Sequence, residues 1–277
     1  MPRLSRRLAA LAVCAAIVMP VAAALAQEKP PAQPAEAPQP DPKAVIVFAD
    51  ASLKNTLDAL NDVFTTRMKG PKVIATYGTG PDLLKQIESG ARVDVFVPAD
   101  LALMDTAVQR KLVNPASRFT LAGNRLVLVA PKDSKLDAIA IEPGLDIAKL
   151  AGDGRIAVGN SETGGGSAAR AALDKLGTWT AAEQKLAIAD NMQAALGLVA
   201  RSEAALGIAY ETDAKVEPNV KIIGTFPANA HPEIIYAAAS ARDAKPDAAR
   251  YLAFLRSATG VVVFEYFGFR YLVPAGP

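Results

Sequence analysis

From Val45 onward, short continuous apolar runs alternate with stretches in which apolar residues recur every third or fourth position. Val45-Ile46-Val47-Phe48 reads as a buried strand. Leu53, Leu57, Leu60, Phe64 and Met68 then fall on one face of a helix that Gly70-Pro71 ends. The same reasoning predicts strands at 73–77, 93–97, 126–129, 156–158, 186–188, 206–210, 222–223 and 234–236. Helices are expected around Leu83, Leu84 and Ile87, and over 101–108, 168–176, 194–201, 247–256 and 261–266. Strands alternating with amphipathic helices predict an α/β fold with mostly parallel sheets covered on both faces. The length favours two lobes with a ligand cleft between them. Chain crossings are placed near 122–124 and 226–227. They give a discontinuous first lobe (44–122 plus 227–277) and a second lobe over 123–226.

The first residues follow another pattern. Arg3, Arg6 and Arg7 precede an apolar stretch from Leu8 to Leu25 that closes on Ala24-Leu25-Ala26. Residues 1–26 therefore read as a secretory signal peptide cleaved near Ala26, which places the mature protein in the periplasm. Cys14 ends a lipoprotein-like box, but the apolar run before it is short and continues beyond it. The Arg6-Arg7 pair fits the twin-arginine pattern poorly in the residues that follow. Residues 27–43 repeat Pro with Ala and Gln, a composition suited to a disordered leader.

Charge and cysteine take their meaning from that signal. Without its three arginines, 27 basic residues face 28 acidic ones, so nothing electrostatic points to nucleic acid. Cys14 is the single cysteine, which leaves the mature chain neither disulfide nor thiol.

Candidate chemistry gathers where strands hand over to helices, the place where open α/β sheets bind ligands. Four junctions are rich in small polar residues: Asp50-Ala51-Ser52, Gly78-Thr79-Gly80-Pro81-Asp82, Thr163-Gly164-Gly165-Gly166-Ser167 and Asp190-Asn191-Met192-Gln193. Each taken alone is adequately explained as helix capping. Taken together, two from each lobe, they would aim unpaired N–H groups, hydroxyls and positive helix ends at one centre, which binds an anion without Lys or Arg. Neutral donors suit a fully deprotonated tetrahedral dianion, because a ligand proton without an acceptor costs about 1–3 kcal/mol. Ser52 and Tyr210 supply hydroxyls, while Asp50 and Asp82 are expected to point away into capping contacts.

Enzyme chemistry has little to work with. His231 is the only histidine and lies in a polar, Pro-flanked loop, which implies a solvated residue and no transition-metal ligand set. A Ser-His-acid triad would need that same histidine, no G-x-S-x-G elbow is present, and no Lys follows the glycine run as in a phosphate-binding loop. Trp179 reads as a surface anchor, and Tyr266, Phe267, Phe269 and Tyr271 as core packing. These features describe a binding protein rather than an enzyme.

The stretches VFADASLKNTLDAL, LLKQIESGARVDVFVPADLALMD, LAGNRLVLVAPKDS, AALDKLG and LGIAYETDA resemble the periplasmic molybdate-binding proteins of ABC transporters. The similarity runs from Val45 to the C-terminal YFGFRYL. It implies a two-lobed type II periplasmic binding protein fold and an oxyanion ligand, molybdate or tungstate, with no cofactor. It also implies a monomer that docks on a membrane permease. The family's first serine falls on Ser52 and its binding tyrosine on Tyr210. Its second serine falls on Gly80, with Thr79 beside it. The alanine whose N–H contacts the anion becomes Gly165, a valine becomes Met192, and a proline of the return strand becomes Ala237. Two alternatives stay open: a receptor for another anion, such as sulfate or an organic acid, and a scavenging or signalling module without a transporter.

Overall fold

The computed structural model describes residues 41–273; the signal segment and leader residues 27–40 lie outside the described residues. In chain order the elements are β1 (Val45–Asp50), α1 (Lys54–Thr66), β2 (Val73–Gly78), α2 (Gly80–Glu88), β3 (Val95–Val97), α3 (Leu101–Gln109) and β4 (Phe119–Asn124). β5 (Leu126–Pro131), α4 (Ile147–Leu150), β6 (Ile156–Gly159), α5 (Gly164–Lys175), α6 (Trp179–Glu183), β7 (Leu186–Ala189) and α7 (Met192–Ala200) follow. The rest comprises β8 (Leu206–Tyr210), α8 (Glu211–Val216), β9 (Val220–Thr225), β10 (Ile234–Ser240), α9 (Pro246–Leu255), α10 (Ala258–Tyr266) and β11 (Arg270–Tyr271).

The strands form two sheets, ordered β11-β4-β10-β3-β1-β2 and β7-β6-β8-β5-β9. Only Arg125 separates β4 of the first sheet from β5 of the second, and the segment between β9 and β10 makes the return. Both sheets are mixed, which corrects the expectation of mostly parallel pairing. β1 runs parallel to β2 and β3, and β6 runs parallel to β7 and β8. β10 is antiparallel to β3 and β4, and β5 is antiparallel to β8 and β9. Helical crossovers within one sheet impose parallel pairing, whereas strands that enter from the other sheet are free of that constraint.

The buried runs owe their continuity to cover on both faces. Along β1, Val45, Val47 and Ala49 pack with Leu57, Leu60 and Phe64 of α1, Tyr251 of α9 and Phe264 of α10. Ile46 and Phe48 pack on the opposite face with Leu83, Leu84 and Ile87 of α2 and Met104 of α3. In the second sheet, Leu126 and Leu128 pack with Ala168 and Ala172 of α5. Val127 and Val129 meet Ala195 and Val199 of α7. Met68 does not share the α1 face: the helix ends at Thr66, Lys69 turns to φ 51°, and Met68 is half exposed. Tyr266 departs from the core expectation too, at 83% exposure, while Phe269 is buried. The helical period explains the first of these. Phe264 faces the core, and Tyr266, two residues on, lies about 200° round the helix.

Candidate functional site

Each of the four junctions is a capped helix start. Asp50 accepts from the Ser52 N–H at 3.1 Å and so caps a single 3-10 turn, Ala51–Leu53. Thr79 caps α2 through the Asp82 N–H, Thr163 caps α5 through the Gly166 N–H, and Asn191 caps α7 through the Ala194 N–H. α5 starts at Gly164 and α7 at Met192, earlier than their apolar periodicity indicated. The glycine run is thus the first turn of a helix. A side-chain carbon at Gly166 would lie 1.9 Å from the Asn160 carbonyl, so the turn from β6 closes only over glycine.

One small cavity, of about 20 Å³, is lined by residues from all four junctions: Asp50, Ser52, Thr79, Thr163, Gly165 and Met192 among them, with Tyr210 from the end of β8. Of the six residues singled out in the sequence, Ser52, Thr79, Gly165, Met192 and Tyr210 lie on this wall. Gly80 lines the adjoining cavity instead, and a side-chain carbon there would meet Leu103 Cδ2 at 2.5 Å. At Gly165 the same construction meets Met192 Cγ at 2.4 Å and the Tyr210 hydroxyl at 2.6 Å. Glycine at 165 therefore leaves room for the methionine at 192. First-turn N–H groups have no intrahelical partner, so Gly165 in α5 and Met192 in α7 carry donors at this wall.

The hydroxyls are less free than the sequence implied. Ser52 Oγ lies 2.6 Å from Asp50 Oδ1 and 2.7 Å from the Tyr236 hydroxyl, to which the Asn124 amide donates at 3.1 Å. Thr79 Oγ1 donates to Asp82 Oδ2 at 2.6 Å, so its proton is held within the cap. Burial first, then nearby Tyr236 and the carboxylates Asp50, Asp213 and Asp100, raise the Tyr210 hydroxyl well above its usual range. It stays protonated at any physiological pH and can donate.

Two carboxyls also line the cavity, whereas no Lys, Arg or His is among the lining residues. Asp82 points into its cap as expected. Asp50 caps as expected but does not point away, and burial raises its pKa against the two bonds from Ser52. Asp213, in the first turn of α8, had no part in the sequence reading, and its carboxyl is pushed up to about 7 by burial and then by Asp50. Gln193 was expected only as part of the fourth junction; its amide donates to the Ala51 carbonyl at 2.8 Å, joining α7 to the turn after β1. Proximity along the chain is the one signal either carries: Asp213 is three residues past Tyr210, and Gln193 follows Met192 in the first turn of α7.

A larger cavity, about 510 Å³, opens beside the two crossings and is lined by Arg125, Phe226, His231, Phe269 and Arg270 among others. Its cations are already matched. Arg125 grips Glu211 with two bonds at 2.5 and 2.8 Å, and Arg270 lies 3.6 Å from Glu233. Burial would raise Glu211, but Arg125 and Lys215 hold it below the usual carboxylate range. His231 sits at this rim with Nδ1 against the Pro232 carbonyl. Trp179 is half-buried under the Arg170 guanidinium, 3.6 Å from the ring centroid. The convergence of helix starts singles out the small cavity as the candidate site.

Residues 45–270 match the model of the bacterial extracellular solute-binding protein family. The molybdate-binding protein ModA of Escherichia coli K12 is 37% identical over 231 residues, 83% of this chain and 90% of that protein. ModA of Haemophilus influenzae is 33% identical over 227 residues, covering 81% and 89%. The periplasmic molybdate-binding protein of Azotobacter vinelandii shares the fold, with a TM-score of 0.69 at 23% identity over 83% of this chain and 99% of that one. Two mixed sheets flanked by helices, helix starts converging on one cavity, and a family match over nearly all the described residues lead to one conclusion: this chain belongs to the bacterial extracellular solute-binding protein family.

Proposed function

We propose that this protein is a periplasmic receptor without catalytic activity that captures a tetrahedral oxyanion, molybdate and with it tungstate, in the cavity between Ser52 and Tyr210. It acts as a monomer, freed of residues 1–26 near Ala26, and delivers the anion to the membrane permease of an ABC transporter. The two lobes, built on the two sheets and joined at Arg125 and near 226–227, close over the ligand by bending at these crossings. Ser52, Gly165, Met192 and Tyr210 are the contacts to the anion.

The observation that carries this reading is the convergence of helix starts from both sheets on one cavity with no basic side chain in its wall. That arrangement offers neutral donors and positive helix ends to an ion that only accepts. The 37% identity to the Escherichia coli molybdate-binding protein supports the choice of ion. Calorimetric titration with molybdate, tungstate, sulfate and phosphate tests it. Saturable one-to-one binding of the first two, with weaker or no binding of the others, is expected; binding of sulfate or phosphate in preference would assign the receptor to another anion.

A further inference from the structure

Among the described residues, Asp213 Oδ2 is the buried side-chain oxygen that lacks a hydrogen-bond partner. The residue is only 7% exposed and lines the same cavity as Ser52, Gly165 and Tyr210. Asp50 lines it from the opposite sheet. An oxyanion entering between two ionised carboxylates meets repulsion, and no cation in the wall offsets it.

Hydroxyl donors are also few. With Asp50 ionised, the Ser52 proton belongs to Asp50 Oδ1 at 2.6 Å, and the Tyr236 proton to Ser52 at 2.7 Å. Thr79 gives its proton to Asp82. Of these hydroxyls, only that of Tyr210 remains for a ligand. A proton on Asp50 reverses the chain: the carboxyl then donates to Ser52 Oγ, and Ser52 turns its own proton to the ligand. A proton on Asp213 converts the unpaired Oδ2 into a donor at the wall.

We infer that the cleft captures its oxyanion together with one proton, which the carboxyl pair Asp50 and Asp213 holds in the loaded state. This rests on the oxyanion reading above. The other groups facing the pair do not supply the proton. Tyr210 of β8 and Tyr236 of β10 are held neutral by burial, Gln193 of α7 and Asn55 of α1 do not titrate, and Asp100 and Glu217, in the adjoining cavities, are carboxyls that bring no cation. Burial and then the Asp50 charge push Asp213 up to about 7, against an offsetting contact from Gln193, so the proton is exchangeable near neutral pH.

Molybdate and sulfate carry no proton between pH 6.5 and 8.5, so any uptake on binding belongs to the protein. Titration of the purified protein in buffers of different ionisation enthalpy counts that uptake. About one proton is expected at pH 8.5, with Kd weakened roughly 25-fold relative to pH 6.5 for a group titrating near 7. Asp213→Asn is expected to lose both the slope and the uptake while still binding. Asp50→Asn, which retains a capping side chain, is the second variant should the first fail to fold. Binding with no proton uptake and a flat Kd would overturn the inference and leave the oxyanion reading standing, as would a slope that persists in both variants. No binding of either anion at any pH would overturn both.

Discussion

Adding a single methyl group at Gly165 separates packing from chemistry in this site. A side-chain carbon there lies 2.4 Å from Met192 Cγ, 2.6 Å from the Tyr210 hydroxyl and 2.8 Å from Tyr210 Cζ, all well inside van der Waals contact. Tyr210 ends a fully buried strand and has little freedom to retreat. Met192 is buried as well, yet its unbranched side chain can find another rotamer. Overpacking of this kind costs about 1–3 kcal/mol. The gain in helix propensity from Gly to Ala, up to about 1 kcal/mol, offsets part of that. Gly164, one residue earlier in the same turn, has its nearest neighbour at 3.4 Å, an ordinary contact, so Gly164→Ala carries the propensity change without the clash.

Urea unfolding should therefore place Gly165→Ala about 1–3 kcal/mol below Gly164→Ala. Calorimetry should show molybdate affinity falling about tenfold or more as the added methyl crowds the Tyr210 hydroxyl and the Gly165 N–H, equivalent to about 1.4 kcal/mol. Combining Gly165→Ala with Met192→Ala removes one of the two collisions, so a favourable coupling of about 0.5–3 kcal/mol is expected in the cycle. Equal stabilities for the two alanine variants, with unchanged affinity and no coupling, would refute the claim that glycine at 165 accommodates Met192 beside Tyr210.

Further outcomes follow from the same geometry. Ser52→Ala removes the hydroxyl between Asp50 and Tyr236, so it should cost about 1–3 kcal/mol in chemical unfolding and weaken anion binding. Gly80→Ser should not strengthen binding, because its side chain would point at Leu103 rather than into the Ser52 cavity; a gain in calorimetric affinity would contradict that placement. Asp213 also shapes stability against pH in the ligand-free protein. Its native carboxyl titrates near 7 against 3.8 in the unfolded chain, so between those values the native state binds more protons and stability falls as pH rises. The loss reaches at most about 4 kcal/mol by pH 7, at about 1.4 kcal/mol per unit, and unfolding of Asp213→Asn should lack that component.

How much of this was legible in the sequence depended on whether the cause was local. β1, α1 and α2 declare themselves through runs and 3–4 spacings, because both faces of the first sheet are covered and one helical face is buried. The capping residues Asp50, Thr79, Thr163 and Asn191 were legible as helix starts for the same local reason. Strand direction was not legible: β4 and β10 pair across more than a hundred residues, and nothing in FTLAGN marks it as antiparallel. The convergence of the junctions could be posed from the sequence as a hypothesis. The inward aim of Asp50 and the burial of Asp213 could not, since an acidic residue in a helix's first turn ordinarily caps in solvent. The position of Gly80 was not legible either: its chain neighbour Thr79 lines the small cavity, while Gly80 lines the adjoining one and a side chain there would meet Leu103.

The most direct test of the central claim is a crystal structure of the protein grown with molybdate, using anomalous scattering at the molybdenum edge to locate the metal. The account predicts one molybdenum site between the Ser52 and Tyr210 hydroxyls, within hydrogen-bond reach of the Gly165 and Met192 N–H groups. A molybdenum peak in the cavity beside Arg125 and Arg270, with none between Ser52 and Tyr210, would contradict it.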